Sequence, residues 1–141
     1  ARVVQMHDLE PGERVGYGGR WTAGRPSRIG TVPLGYADGF PRALGDRGEA
    51  LADGRRVPII GAVSMDMLAV DLTEVAAGEG DEVVLLGRQG SEEIDAAELA
   101  SRAGTLIYDV LCGLGLRLPK LSVSAGETVA VLCRFEKRTP A

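Results

Sequence analysis

The sequence predicts a mainly β domain, barrel-like in form, with one or two short helices. Three observations support this fold class. Short apolar runs rich in Val, Ile and Leu recur along the chain, with turn residues between them. The 20 glycines and 7 prolines are scattered between these runs, which is typical of many turns and not of a disordered tract. The 141 residues are the size of one domain, so we expect a single folding unit over residues 1–141.

Strands are predicted wherever a short apolar run lies between turn residues. The segments are 2–6, 29–34, 57–63, 68–72, 82–86 and 128–134. Asp53-Gly54 is a tight-turn signal, and it predicts a hairpin that joins residues 49–52 to 55–60. The continuous apolar run 83–86 predicts a strand covered on both faces. Because so many short strands would leave unpaired edges in an open sheet, a closed or nearly closed barrel is the predicted architecture.

One helix is well marked late in the chain. Asp95 is a predicted N-cap, Glu98 stands three residues later as in a capping box, and Gly104 is a predicted stop. A second short helix is predicted over residues 107–112, before two closely spaced glycines. A strand is the alternative for that second segment.

Composition and charge exclude several classes of function. The formal net charge is −4 and no basic stripe is present, which argues against nucleic-acid binding. No apolar run approaches the roughly 18 residues needed to span a bilayer, so no membrane association is expected. With His7 as the single histidine and no clustered Cys/His pairs, no metal site is expected. Cys112 and Cys133 are expected to be two reduced, buried thiols of a cytoplasmic protein.

The three tyrosines stand in unusual local settings. Tyr17 lies between glycines, Tyr36 follows a glycine, and Tyr108 lies in the second predicted helix. Glycine beside an aromatic residue weakens a strand, and is tolerated where the backbone turns sharply or approaches another group closely. A phenol on such a turn could project outward and transfer a proton or bind a ligand. The alternative is that each ring plugs an end of the barrel and its hydroxyl meets a backbone carbonyl.

A second candidate cluster closes the strand predicted over 57–63. Gly61 permits close backbone approach, and Ser64, Met65 and Asp66 follow it. Since Asp66 is flanked by methionines, it is predicted to be a buried or half-buried carboxylate. The alternative is a turn aspartate that accepts backbone N–H groups, with the methionines as core filler. Residue types alone give no complete catalytic set.

At these residues the sequence resembles the alanine racemase family, and specifically its carboxy-terminal domain. The matching segments, in order, are VGYGGRWTA (15–23), IGTVPLGYADGF (29–40), VPIIGAVSMDM (57–67), DEVVLLG (81–87), IY (107–108) and RLPK (117–120). The resemblance implies a mostly β domain that follows an amino-terminal (β/α)8 barrel, and that barrel is absent from this sequence. A start near the boundary between the two domains would explain the missing initiator Met.

The resemblance also implies an activity, the interconversion of L- and D-alanine with pyridoxal 5′-phosphate. Racemisation needs one base on each face of the reacting carbon. In the family one base is a barrel lysine and the other is a tyrosine, which Tyr17 matches. A free phenol has a pKa of about 10, so it needs activation by its surroundings, here by groups on the absent barrel. Neither Lys120 nor Lys137 matches the lysine that holds the cofactor covalently.

Other roles carry over residue by residue. Tyr36 matches a tyrosine that narrows the entrance to the site, and Tyr108 matches one that hydrogen-bonds the cofactor phosphate. Met65 matches a residue whose backbone N–H faces the substrate carboxylate, with Asp66 supporting the turn. Arg42 matches an arginine further out on the entrance path. The family's site is shared between subunits of a head-to-tail homodimer, so the isolated chain is expected to be inactive.

Two departures keep alternatives open. Ala62 stands where many members have an arginine in the entrance, which would suit another small amino acid such as serine; Ser64 stands where some have cysteine. The domain could also be a non-catalytic binding module of racemase descent, whereas a related decarboxylase domain fits less well. The D-alanine could serve peptidoglycan synthesis or alanine breakdown. A domain that normally covers a barrel is expected to expose apolar area when isolated.

Overall fold

The computed structural model describes residues 1–115 and 117–132, and the backbone of Lys137–Arg138. Within them the chain is mainly β, as predicted. Its strands are β1 (Gln5–Leu9), β2 (Arg14–Val15), β3 (Trp21–Thr22), β4 (Ser27–Val32), β5 (Glu49–Ala52), β6 (Arg55–Ile60), β7 (Leu68–Asp71), β8 (Val83–Val84), β9 (Gly87–Gln89), β10 (Glu92–Ile94), β11 (Lys120–Ser124), β12 (Glu127–Leu132) and β13 (Lys137–Arg138). The helices are α1 (Ala96–Ala103) and α2 (Ile107–Gly113).

The main sheet has six strands in the order β1-β4-β7-β6-β5-β8, and every neighbouring pair is antiparallel. It curls into a half-barrel, and the residues before β1 join its two edges at one end. The Val3 N–H donates to the Asp81 carbonyl at 3.0 Å, and the Val83 N–H donates to the Ala1 carbonyl at 2.9 Å. The predicted barrel-like form is therefore confirmed, and the pairing of these first residues with Asp81 and Val83 is why β1 begins later than predicted.

The core lies inside the curl of the sheet. Its fully buried side chains include Val32 on β4, Ile59 on β6 and Val70 on β7, all at most 1% exposed. Leu99 of α1 and Val110 of α2 are also buried in this cluster, so the two helices cover part of the sheet. Burial of apolar side chains is the main source of stability for such a domain, at about 25 cal/mol for each Å² removed from water.

Local signals predicted the β5–β6 hairpin. Asp53 and Gly54 both have left-handed φ angles, 52° and 68°, as a two-residue hairpin turn of the type I′ class requires. The hairpin joins Glu49–Ala52 to Arg55–Ile60, the predicted bounds. The run predicted over 82–86 is shorter as a strand, although Val83 is buried and its neighbours pack against the core.

The helix signals are also confirmed, with one difference at the cap. Asp95 Oδ1 accepts the Glu98 N–H at 2.7 Å, and Gly104 ends α1 at a φ of 69°. The Glu98 carboxylate, however, bonds to the Arg56 guanidinium at 2.6 Å instead of returning to the Asp95 N–H. A helix, α2, forms where a strand was the alternative.

A network of ion pairs fastens α1 to the β5–β6 hairpin. Arg56 pairs with Glu49 at 2.9 Å, with Glu92 at 2.9 Å and with Glu98 at 2.6 Å. Arg102, one turn after Glu98, pairs with Glu98 and with Glu49. The hydrogen bonds that Arg56 donates to these carboxylates raise the pKa of Arg56 above its ordinary value, and the bond that Glu98 accepts from Arg56 lowers the pKa of Glu98. These charges therefore satisfy one another within the domain.

The chain after α2 forms a hairpin of β11 and β12 with exposed apolar side chains such as Leu121 and Val123. The strand predicted over 128–134 is confirmed to Leu132, and its last two residues lie outside the described part. The predicted burial of Cys112 is wrong, because its side chain lies on the exposed side of α2. Cys133 lies outside the described residues. Within the described residues, no helix has the length and apolar content to cross a membrane.

Candidate functional site

Tyr17 lies at the tip of the β2–β3 hairpin, where Val15 pairs with Trp21. The turn begins with Gly16 at a φ of 79° and contains Gly18 at a φ of 70°, left-handed values that favour glycine. The Tyr17 side chain is 79% exposed. Its phenol therefore projects outward, one of the two alternatives that the glycine pattern left open, and does not plug the barrel.

A short segment after β6, residues 61–67, supports this tip; we call it the platform. A Cβ added at Gly16 would lie 3.5 Å from the Ala62 N atom, and one at Gly61 would lie 3.3 Å from the Val15 carbonyl. Because both backbones are bare glycine at the contact, the hairpin tip and the platform pack closely. This is the close backbone approach that the sequence predicted for Gly61.

A groove of about 570 Å³ opens beside Tyr17. Its walls include His7 from β1, Thr31 from β4, and Ala62 and Ser64 from the platform. Most of the lining is apolar, so a ligand here would be oriented by few polar groups. The small side chain of Ala62 leaves space beside the phenol. This is the position at which the resemblance implies an arginine in many members of the family.

Tyr36 is anchored to the same platform from the other side. The Tyr36 N–H donates to the Ser64 carbonyl at 3.0 Å, and the Ala37 N–H donates to the Met65 carbonyl at 2.8 Å. A Cβ at Gly35 would collide with the backbone of the platform, so glycine is required at this contact. The structure therefore brings the turns of Tyr17 and Tyr36 together on one segment.

The Tyr36 ring is 46% exposed and borders a second groove of about 440 Å³ with Arg42, Asp109 and Gly113. The Arg42 guanidinium carbon lies 6.0 Å from the centre of the Tyr36 ring, within the range of a cation–π contact. Arg42 and Tyr36 are thus neighbours at the edge of this groove.

Met65 is exposed at 55%, and its N–H meets no acceptor among the described residues. This leaves a backbone donor at the surface of the platform. Met67 is also exposed, so the alternative of core-filling methionines is wrong. The platform turn is held by Ser64, whose Oγ accepts the Met67 N–H at 3.1 Å and donates to the Met67 carbonyl at 2.7 Å.

The predicted burial of Asp66 is wrong. Its side chain is exposed, and its carboxylate accepts no hydrogen bond from the described residues. The physical reason is that Ser64 already closes the turn with both its donor and its acceptor. Asp66 is consequently a free surface charge beside the exposed Met65 N–H within the described part of this chain.

Tyr108 lies in the first turn of α2 and is 77% exposed. It lines neither the groove beside Tyr17 nor the groove beside Tyr36. The third tyrosine is therefore on the same helix that borders the Tyr36 groove, but it lies outside that groove and is largely exposed.

Sequence reasoning missed Asp38, the one buried carboxylate of the described residues. It is 2% exposed, its Oδ2 accepts the Gly35 N–H at 3.0 Å, and its Oδ1 lies 3.0 Å from Arg117 Nε. The local signal was available, since an aspartate three residues after a glycine can bond back to that glycine N–H. The Arg117 partner is too distant in sequence for such a signal.

Asp46 was also missed. Its Oδ1 accepts the Gly61 N–H at 2.5 Å, and its Oδ2 lies 3.9 Å from Arg20 Nε at the end of the Tyr17 turn. Asp46 has a φ of 57°, an uncommon value for a residue other than glycine, and its bond to Gly61 accompanies this strained backbone. No group of three or more potential metal ligands occurs in the part of the chain that the structure describes.

Comparison with known proteins identifies close relatives. The family profile described as "Alanine racemase, C-terminal domain" matches residues 1–122. An alanine racemase of Symbiobacterium thermophilum is 46% identical over 128 residues, which are 90% of this chain and 33% of that protein. One of Syntrophobacter fumaroxidans is 44% identical over 116 residues, 82% of this chain and 31% of that protein.

Solved structures agree. The crystal structure of alanine racemase from Bacillus anthracis with bound L-Ala-P matches 94% of this chain and 34% of that one, with a TM-score of 0.89 and 34% identity. The alanine racemase from Bartonella henselae with covalently bound pyridoxal phosphate matches 82% of this chain and 32% of that one, with a TM-score of 0.76 and 33% identity. The chain thus spans about a third of the length of the relatives it matches.

Proposed function

Because this chain belongs to the alanine racemase family, as its carboxy-terminal domain, we propose that it contributes Tyr17 as one of two bases that interconvert L- and D-alanine. The observation that carries this proposal is the exposed phenol of Tyr17 on a turn fixed by left-handed glycines and by contact with the platform. Inversion at a carbon requires a proton to leave on one face and return on the other. A single exposed phenol can serve one face, and the second base comes from another domain.

Pyridoxal phosphate supplies the stabilisation of negative charge at the reacting carbon when it is bound. Of the residues in this chain, Tyr108 fits a role in holding it, since its phenol is 77% exposed and free to donate to a phosphate oxygen. Lys120 does not fit a covalent role, because its Nζ donates to the Leu114 carbonyl at 3.4 Å and it lies on the exposed β11–β12 hairpin. The covalent attachment therefore belongs to a barrel domain.

The remaining site residues bind and select the substrate. The Met65 N–H is a free donor on the platform beside the Tyr17 groove, and it suits a substrate carboxylate. Tyr36, with Arg42 against its ring, narrows the approach and limits the size of the amino acid. The exposed Asp66 carboxylate would repel a substrate carboxylate, so it is assigned no contact with the substrate, and the turn that carries Met65 depends on Ser64.

The partner is a racemase barrel domain, and the assembly is a head-to-tail dimer in which this domain covers the barrel of the other subunit. Support comes from where the exposed groups lie. Tyr17, Met65 and Tyr108 are each more than half exposed, although each is a large and partly apolar side chain. Exposed apolar groups that cluster on one surface, as Tyr17 and Met65 do around the platform, mark interaction sites. Alone, the chain lacks the second base and is inactive.

The test is racemisation of L-alanine with added pyridoxal phosphate. We expect no activity from the 141-residue chain alone, activity when it is combined with its barrel domain, and loss of that activity in Tyr17→Phe. Trp21→Phe, on the same hairpin but outside the groove, is the matched control and should retain activity. Inactivity of a combined sample that is shown to be assembled and loaded with cofactor would instead support a non-catalytic binding module.

A second substrate is favoured by one observation. Ala62 lines the Tyr17 groove with a methyl group only, which leaves room for a side chain larger than that of alanine. Serine is the candidate. Racemisation of L-serine at a rate close to that of L-alanine, which Ala62→Arg reduces for serine more than for alanine, would support it.

A further inference from the structure

We infer that Asp38 and Arg117 form a clamp that positions Tyr36 and thereby sets the size of amino acid admitted to the site. This inference rests on the proposed role of Tyr36 at the entrance. It assigns a positioning function to two residues that do not themselves face the Tyr17 groove.

The Asp38 carboxylate is fully enclosed, and each of its oxygens has one partner. Oδ2 accepts the Gly35 N–H at 3.0 Å, and Oδ1 pairs with Arg117 Nε at 3.0 Å. A buried carboxylate is tolerated only when it is paired and hydrogen-bonded. Because Arg117 supplies the one opposite charge within bonding distance in the described residues, the ion pair is what makes the burial of Asp38 tolerable.

The backbone of the same turn is tied to the same region. The Asp38 carbonyl accepts the Gly115 N–H at 2.9 Å, two residues before Arg117. A Cβ at Gly39 would collide with the Gly113 backbone, so this contact is also close. The turn is therefore fixed on one side to the segment that follows α2.

On its other side the turn is fixed to the platform. Tyr36 and Ala37 donate to consecutive platform carbonyls, those of Ser64 and Met65. The turn thus bridges two parts of the molecule, and Tyr36 lies on the bridge. If the Arg117 side were released, the platform bonds would remain, and the Tyr36 ring could shift while the fold persisted.

The expected effect is on selectivity, because Arg117 contributes little to the apolar core. Its side chain is 42% exposed, whereas the Asp38 side chain is 3% exposed. Loss of Arg117 leaves the enclosed Asp38 carboxylate without its charge partner and should therefore also lower the melting temperature, while most apolar packing is unchanged. A role in folding alone would lower stability and leave the preference among substrates as it was.

The experiment compares kcat/KM for L-serine and L-alanine in the full-length protein that contains this chain. Tyr36→Leu is the reference, and it should raise the serine-to-alanine ratio about tenfold. Arg117→Gln should raise the ratio in the same direction, by about threefold to tenfold, through a higher KM for alanine. Arg117→Lys, which keeps the positive charge, should raise the serine-to-alanine ratio less than Arg117→Gln does. Asp38→Asn removes the charge of the other partner and should raise the serine-to-alanine ratio in the same direction.

Arg56→Gln is the matched control, since it breaks an ion-pair network away from the site and should leave the ratio unchanged. The clamp is overturned if Tyr36→Leu changes the ratio but Arg117→Gln and Asp38→Asn lower only the melting temperature. If Tyr36→Leu leaves the ratio unchanged, the proposed role of Tyr36 at the entrance fails, and the selectivity assigned to the clamp fails with it.

Discussion

Two regions of this domain differ in whether their polar and aromatic groups are paired within the domain or exposed. Around Arg56, five charged side chains from three strands and a helix pair with one another, and the neighbouring core is closed. Around the platform, by contrast, Tyr17, Met65 and Asp66 are exposed, and the Met65 N–H meets no acceptor in the described part of the chain. In the first region the charges are paired within the domain. In the second region the polar and aromatic groups remain exposed, so they can contact a ligand or another domain.

The contrast separates the residues that stabilise the fold from those that we propose take part in the chemistry. Residues that are buried or paired within the domain should affect unfolding, while exposed residues on rigid turns should affect activity with little effect on unfolding. Rigidity links the two regions, since the exposed Tyr17 is held by close glycine contacts with a platform that begins directly after β6. Substitutions in each region test whether this separation holds.

The largest expected effect is at the exposed side. Tyr17→Phe removes one hydroxyl from a side chain that is 79% exposed and makes no hydrogen bond within the described residues. Loss of the general base that we propose should lower kcat of the full-length protein by about 10³-fold. The melting temperature should stay within about 1 °C, since surface changes usually alter stability by less than about 0.5 kcal/mol. A large fall in melting temperature would mean that the two regions are not separate.

The closed region should respond in the opposite way. Leu51 on β5 has no exposed surface, and Leu51→Ala would leave a cavity. We expect the free energy of unfolding to fall by about 3 kcal/mol, measured by denaturant unfolding. The matched control is Leu111→Ala on α2, whose side chain is 46% exposed and should cost far less. Equal losses of unfolding free energy at both positions would contradict the burial of Leu51 and the exposure of Leu111.

A backbone substitution tests the link between the regions. Gly16→Ala meets no severe clash, since the added Cβ would lie 3.5 Å from the nearest atom, but the φ of 79° is unfavourable for alanine. The free energy of unfolding should fall by about 1 kcal/mol. Because the strain lies next to Tyr17, kcat should fall as well. Gly12→Ala, at a φ of 95° in open space away from the platform, is the control and should cost stability alone.

Local signals in the sequence predicted the parts of the fold that are locally determined. The β5–β6 hairpin follows from Asp53-Gly54, and α1 follows from Asp95 and Gly104. The start of β1 could not be predicted in this way, because the residues before it bond to the segment around Asp81, far along the chain. The same holds for Glu98, whose carboxylate is taken by Arg56 instead of by its own helix cap.

For the candidate site, the glycine pattern indicated that Tyr17 lies on a turn but left open whether its phenol faces outward or plugs the barrel, and residue type misled at Asp66 and Cys112. Both stand beside apolar residues and were expected to be buried, whereas both are exposed. Apolar neighbours indicate burial only when they face the core of the same domain. Here they lie on a surface that we propose another domain covers. Composition alone does not distinguish apolar residues that face the core of their own domain from those that contact another domain.

The smallest expected effect tests whether the charged network contributes to stability in the closed region, and it depends on pH. The hydrogen bond from Arg56 lowers the pKa of Glu98 below its ordinary value of 4.5 in the folded chain. Between the two values the unfolded chain binds more protons than the folded one, so stability rises with pH there. The contribution is complete above about pH 4.5 and disappears as the pH falls through the folded value.

Glu98→Gln should therefore cost about 0.5 kcal/mol at pH 7, in the range of partly exposed ion pairs, and almost nothing near pH 2. Salt should reduce the difference at pH 7, because screening weakens such pairs. Glu93→Gln, whose partner Arg88 is far more exposed, is the matched control and should cost less at every pH. A Glu98→Gln penalty that is equal at pH 7 and pH 2 would assign the effect to helix packing instead of charge. The closed region would then depend on apolar burial alone, and the ion pairs would serve only to orient α1 over the β5–β6 hairpin.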